Sequence, residues 1–122
     1  MKSLALSTFL FLFFSQGALA AYCETFSSIN ETHKLCWNDL HKAWLSEACF
    51  KKTCDSQQFL KKTHKAPPVQ DLSGGRNPSA MVCHGLKLTL VILKDGKNNE
   101  QSFCQFSDNS LTDANAIERV VK

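Results

Sequence analysis

The sequence predicts an α+β fold: a small disulfide-rich protein with an N-terminal helical module and a C-terminal helix followed by an antiparallel β-hairpin. Three observations carry this reading. Six cysteines in a chain of 122 residues form a covalent framework, because an even count in a short exported chain favours disulfides. Between Trp37 and Ala48 apolar residues recur every three or four positions, the spacing of a helix with one buried stripe. From Leu86 to Ile92 the period changes to two, the spacing of a strand.

Residues 1–20 have the form of a secretion signal. Lys2 supplies the positive start, Leu4 to Phe14 the apolar centre, and Ala18-Leu19-Ala20 the small-residue cleavage site. The apolar run is shorter than the ~20 helical residues needed to cross ~30 Å of hydrocarbon. A lipid anchor would need a cysteine directly after the small residues, whereas Tyr22 precedes Cys23. The expectation is an exported protein, periplasmic or extracellular. Removing the signal leaves 102 residues from Ala21 onward, all six cysteines, and a net charge of about +2 once Lys2 is gone. That is one small domain or two very small modules. At this size the core alone is modest and covalent staples matter.

A cysteine-rich helical module is expected over residues 21–62. Its main helix places Trp37, Leu40, Trp44 and Ala48 on one stripe, with His41 and Leu45 beside them. Phe26, Ile29 and His33 suggest a shorter helix upstream, and Asp55 or Ser56 caps a third through Gln58, Phe59 and Leu60. The pairing of Cys23, Cys36, Cys49 and Cys54 stays open. Joining Cys23 to Cys54 and Cys36 to Cys49 would staple an antiparallel array, but an unbroken helix from Cys36 to Cys49 spans ~20 Å, too far for a disulfide. Either that helix breaks near Ser46, or Cys23 joins Cys49 and Cys36 joins Cys54, or the pairing is another.

Residues 63–76, THKAPPVQDLSGGR, read as a linker on their prolines and glycines. The C-terminal unit spans residues 77–122. Asn77 is a good N-cap, Pro78 suits the first helical position, and Gly85 suits a left-handed helix end, so a helix runs from Pro78 to His84. The following strand carries Leu86, Leu88, Leu90 and Ile92 on one face and stops at Asp95-Gly96. If Lys94 faces Glu100 across the turn, Leu90 stands opposite Cys104 and Leu88 opposite Phe106. Cys83 and Cys104 stand alone after the linker, so their mutual pairing is the natural choice, closing a loop of about 20 residues that contributes on the order of 3 kcal/mol. At the end, Thr112 or Asp113 caps a helix with Ile117, Val120 and Val121 on one face, and a closing strand is the alternative. No internal repeat is evident in the residues.

Asn77, Pro78, Ala80, Cys83, Gly85, Cys104 and Phe106, with the turn Ser107-Asp108-Asn109-Ser110, give this unit a resemblance to a small bacterial domain family of unknown function that carries a haemolysin label. The resemblance covers Asn77 to about Val121. The chain departs from the family pattern at Gly85-Leu86, where Gly-Gly is usual, and at Ile117, where a Trp and further cysteines are usual. The resemblance implies a bacterial source and, through its label, membrane perturbation. It implies no reaction and no site.

Few residues suggest chemistry. His33, Cys36 and His41 have zinc-compatible spacing, but zinc needs thiolates and export favours their oxidation, so no metal is expected. Cys83 and His84 are adjacent, and helical neighbours point to different faces, which argues against a nucleophile–base pair. Asp95, Glu100, Asp108 and Asp113 read as turn, cap or surface positions. The expectation is therefore no catalytic residue, no cofactor and no enzyme. Lys51, Lys52, Lys61, Lys62 and Lys65 form a candidate anionic-surface site beside Phe50, Phe59 and Leu60, against the plainer reading of a solvated face. Nucleic acid is not expected, because the mature charge is small and no reading motif is present. Trp37 and Trp44 suit carbohydrate, but helical spacing favours the core. Asn30-Glu31-Thr32 is a glycosylation acceptor only in a eukaryotic secretory pathway. These readings converge on an exported, disulfide-stabilised binding or effector protein whose partner is a protein or envelope component, with an anionic membrane surface as a further partner. The alternatives are a membrane-perturbing protein and a protease-inhibitor-like module presenting the Asp95 to Glu100 loop.

Overall fold

The computed structural model describes residues 22–66 and 78–122. The expected signal at 1–20, most of the linker and the Asn77 cap lie outside the described residues. In chain order the elements are β1 (Cys23–Ser27), β2 (Thr32–Asn38), β3 (Ala43–Ser46), a 3-10 turn (Glu47–Phe50), α1 (Asp55–Leu60), α2 (Pro78–Gly85), β4 (Thr89–Lys94), β5 (Glu100–Gln105), β6 (Leu111–Asp113) and α3 (Ala114–Val120). Among the described residues the strands close an antiparallel barrel in the order β1-β2-β3-β6-β5-β4. This corrects the α+β expectation. There is no N-terminal helical module, and both parts of the chain contribute three strands to one barrel.

The correction has a local cause. Trp37 and Trp44 are seven residues apart, which fits two helical turns, but they also stand directly opposite each other across a four-residue turn, Trp37 on β2 and Trp44 on β3. That turn is built from its own residues: the Asn38 Oδ1 accepts from the His41 N–H at 2.9 Å, and Lys42 adopts φ 51°. A side-chain amide bonding a backbone group three residues on competes with helix and wins here. Leu40, expected on the buried stripe, is 83% exposed at the turn, and Ile29 is 99% exposed in the β1–β2 loop.

The disulfides follow from the strands. Cys23 and Cys36 face each other in the β1–β2 ladder and are joined, Cys49 joins Cys54 across the step from the 3-10 turn to α1, and Cys83 joins Cys104. Neither N-terminal pairing set out for a helical array is the one formed. All six cysteines are oxidised, which places the chain in an oxidising, exported environment.

The C-terminal half is closer to expectation. Lys94 faces Glu100 and Leu90 faces Cys104. The residue that ends α2 is Lys87 rather than Gly85: Lys87 has φ 60°, its N–H donates to the His84 carbonyl, and the Leu88 N–H reaches the Cys83 carbonyl, the paired bonds of a Schellman ending. Ile92 is half exposed, while Leu93, on the opposite face, is fully buried. Asp113 caps α3 by accepting from the Ala116 N–H at 3.2 Å, and β6, which the sequence reading folded into that cap, precedes it.

The barrel contains a repeat. Leu35 pairs with Ser46 as Phe103 pairs with Asp113, Cys36 with Leu45 as Cys104 with Thr112, and Trp37 with Trp44 as Gln105 with Leu111. Each half is therefore a strand–strand–short strand meander followed by a helical turn. The halves meet at two seams, and at both seams a residue faces its own equivalent: Leu45 opposite Thr112 and Ser27 opposite Lys94. Antiparallel pairing of equivalent positions is the mark of a two-fold axis. Side chains repeat the symmetry. The Ser46 Oγ accepts from the Leu111 N–H and the equivalent Asp113 Oδ1 accepts from the Trp44 N–H, both at 2.8 Å.

Two cores result. Phe26, Leu35, Leu93, Phe103 and Leu111 are fully buried inside the barrel, with Trp44 and Val91 packed against them. The equivalent pairs exchange size: Phe26 corresponds to Leu93 and Leu35 to Phe103, so one large and one small side chain from each half fill the centre. Outside the wall, Ala43, Leu45, Cys83, Cys104, Phe106 and Ile117 pack with α1, α2 and α3 into a second cluster.

Candidate ligand-binding groove

A groove of about 890 Å³ opens where β6 stops. The last β5–β6 pair is Phe103 with Asp113, so Glu100, Gln101 and Ser102 run past the end of the short strand and leave a notch in the wall. Trp37 and Trp44 line one side of that notch, with Lys42 from the turn between them. Gln101, Ser102, Glu100, Leu90 and Ile92 line the other, and Met81 and His84 of α2 and Asn115 and Arg119 of α3 complete it. The volume falls in the range of about 300–1,000 Å³ that small-molecule sites occupy.

The aromatic side is fixed by the ladder. The two indole rings lie 5.5 Å apart at 70°, and Trp44 also meets Tyr22 at 5.9 Å and Phe26 at 5.1 Å. Both tryptophans are half-buried. The Trp37 Nε1–H donates to the Asp39 Oδ1 at 3.0 Å, so the polar edge of that ring is used within the protein.

The charged side is equally constrained. The Arg119 guanidinium donates to the carbonyl oxygens of His41 and Lys42, which pins a cation against the β2–β3 turn. Burial, together with the ammonium of Lys61, holds His41 below its ordinary value, so it is uncharged at neutral pH and Lys61 adds positive potential at the same turn. Burial raises Asp113 above the usual carboxylate value, although the N–H groups of Trp44 and Ala116 and the charge of Arg119 act against that rise. Each Asp113 oxygen has a backbone donor, Trp44 on Oδ1 and Ala116 on Oδ2.

The residues singled out from the sequence divide clearly. Trp37 and Trp44 come together, not as a helical core stripe but as the wall of the groove. Glu100 and Asp113 line the same groove, while Asp95 and Asp108 do not. Asp95 accepts from the Lys97 and Asn99 N–H groups within its own turn, and Asp108 accepts from the Asp55 N–H. Lys51, Lys52, Lys61, Lys62 and Lys65 are all exposed. His33, Cys36 and His41 do not form a ligand set: Cys36 is in a disulfide and His33 contacts Glu31 at 3.4 Å. Among the described residues the His, Cys or acidic atoms that cluster within 4.8 Å are those of Cys23, Cys36 and Glu47, and two of these are joined as a disulfide, without thiolates to offer a metal. Cys83 is likewise bonded, and His84 lies exposed on the groove. Sequence reasoning missed Lys42 and Arg119. The signal for Lys42 was its place beside Asn38-Asp39, a turn-forming pair read instead as helix.

Among the described residues no helix is long and apolar enough to cross a membrane. No protein-family model, curated protein or solved structure compared with the chain matches it.

Proposed function

We propose that this chain is an exported, non-catalytic binding protein of the periplasm or extracellular space, and that it holds an envelope component or another small ligand in the groove at the end of β6. The observation that carries this reading is the departure from symmetry at Trp37 and Trp44. The equivalent positions in the other half are Gln105 and Leu111; Leu111 and Trp44 both pack at the barrel centre, but Trp44 is larger and also lines the groove, and Trp37 puts a ring where its twin is a glutamine. Packing needs alone are met by a leucine at one of these positions and a glutamine at the other. Both rings add surface to the groove, and Trp44 also packs on the barrel centre against Phe26.

The chain's two tryptophans are both in the groove, so intrinsic fluorescence reports on it directly. Fractions of envelope and culture extract that raise the thermal midpoint of the oxidised mature protein should also change its emission, and Trp37→Ala should abolish both effects. Stabilisation that persists undiminished in Trp37→Ala, or extracts without any effect on the wild type, would overturn the proposal. The lysine-rich surface at Lys51, Lys52, Lys61, Lys62 and Lys65 supports a separate contact with anionic headgroups, which would weaken steeply with salt. The haemolysin-like resemblance supports membrane perturbation as the competing reading, and dye release from vesicles by the mature protein is its test.

A further inference from the structure

We propose that the groove takes a saccharide bearing a carboxylate, with its ring against Trp37 and Trp44 and its acid group at Lys42 and Arg119. This inference rests on the reading of the groove as a ligand site and names the ligand's chemistry.

The indole pair meets at 70°, which forms a corner rather than a parallel slot. A flat aromatic ligand would cover one ring only. The C–H faces of a puckered sugar can pack on one ring while its edge meets the second, and the half-buried Trp37 already has its N–H bonded to Asp39, so it asks no polar partner of the ligand. Beside Leu90 and Ile92, the facing wall presents the polar groups of Gln101, Ser102 and Glu100. An alkyl chain would strip water from those groups and return no hydrogen bond, whereas a polyhydroxylated ligand replaces the lost partners.

At the turn two cations, Lys42 and Arg119, stand against one acid, Asp39. Arg119 is fixed beside Lys42 by its bonds to the carbonyl oxygens there. Lys42 meets Asp39 at 3.9 Å with both side chains largely exposed, a contact too weak to neutralise it. Of the two acids lining the groove, Asp113 already has both oxygens engaged by backbone N–H groups, and Glu100 belongs to the facing wall rather than to the turn. A ligand carboxylate would therefore find a guanidinium and an ammonium together, the pairing that gives charge-assisted hydrogen bonds.

Backbone strain supplies independent support. Lys42 at φ 51° is the last residue of its turn, and in the other half the corresponding last residue is Asn109 at φ 69°. Asparagine adopts this left-handed conformation far more readily than lysine. The lysine half thus carries strain that its twin avoids, and what the exchange supplies is a cation on the groove. Residues held in costly conformations at a cleft are where binding roles concentrate.

The test is fluorescence titration of the oxidised mature protein with trigalacturonate and its methyl ester, and with sialyllactose and lactose, repeated on Lys42→Asn. In at least one pair the acid should bind about tenfold more tightly than its neutral partner, equivalent to roughly 1.4 kcal/mol, and that preference should shrink with added salt. Lys42→Asn should remove the preference by lowering the affinity for the acid far more than that for its neutral partner, and should raise the thermal midpoint. Equal binding of acid and neutral forms, an acid preference that survives Lys42→Asn, or no binding of any of the four sugars would overturn the inference. If the sugars fail while an apolar probe changes the emission of wild type and not of Trp37→Ala, the groove reading stands and the ligand class falls.

Discussion

Thr112 should be more stable as valine. Its side chain is fully buried on the two-fold seam, opposite Leu45 on one side and Cys104 on the other, and among the described residues its hydroxyl has no hydrogen-bond partner. A buried, unpartnered hydroxyl costs about 1–3 kcal/mol relative to its solvation in the unfolded chain. Valine keeps the branched shape and puts a methyl group among apolar neighbours, so Thr112→Val should gain about 1–2 kcal/mol. For a domain of this size one kcal/mol moves the midpoint by about 4–8 °C, and the shift should fall between roughly 4 and 16 °C. Thr112→Ser retains the hydroxyl and loses a methyl, and should lose about 1 kcal/mol. The assay is urea unfolding with the disulfides intact: the midpoint should rise for valine and fall for serine with the slope unchanged. A valine variant no more stable than wild type would mean that the hydroxyl is satisfied in solution, and would refute the reasoning.

The reciprocal seam bonds make a second prediction. Asp113→Ala removes both the cap of α3 and the acceptor for the Trp44 N–H, and should cost about 2–3 kcal/mol. Ser46→Ala removes only the acceptor for the Leu111 N–H and should cost about 1 kcal/mol; denaturant midpoints for the two variants check the order. Replacing Cys83 and Cys104 together by serine opens a link across 21 residues and should cost about 3 kcal/mol, with hydrogen exchange rising first in α2. Stability should also fall on acidification. Asp95 is held below its ordinary value of 3.8 chiefly by the Asn99 N–H. For Asp108 burial would raise the value, but the N–H groups of Asp55 and Ser110 and the Ser110 hydroxyl outweigh it. Both contributions are complete above the ordinary carboxylate value and are lost as pH drops through the lowered one. The raised Asp113 has the opposite sign: its contribution is present below the ordinary value and lost as pH rises. Asp108→Asn should accordingly flatten the acid limb of a pH–stability curve, and an unchanged limb would contradict this assignment.

Some of the fold was legible in the residues. The β4–β5 register followed from the Lys94–Glu100 facing pair, but alternation named the wrong face at its end: Ile92 is half exposed and Leu93 on the other face is fully buried. The cap and apolar face of α3 were equally readable, since Asp113 and Ile117 act within a few residues of each other. What failed was spacing that two structures share. Seven residues between Trp37 and Trp44 satisfy a helix and a four-residue hairpin turn alike, and the deciding groups, Asn38 and Lys42, act through backbone geometry that residue types signal only weakly. The repeat was hidden because Phe26–Leu35 and Leu93–Phe103 exchange size, conserving volume without conserving identity. The groove depends on a gap left by a three-residue strand, and on Arg119 reaching the carbonyl of Lys42 from 77 positions away. Such contacts arise only when both halves have closed on each other.

The central claim is that the N-terminal half is a β-meander equivalent to the C-terminal one. Tryptic mapping of the unreduced protein tests it directly, because cleavage after Lys34, Lys42, Lys51 or Lys52, Lys87 and Lys97 puts each cysteine on its own peptide. The account predicts links from Cys23 to Cys36, Cys49 to Cys54 and Cys83 to Cys104. A peptide joining Cys23 to Cys49 or Cys54, as antiparallel helices would require, would contradict it.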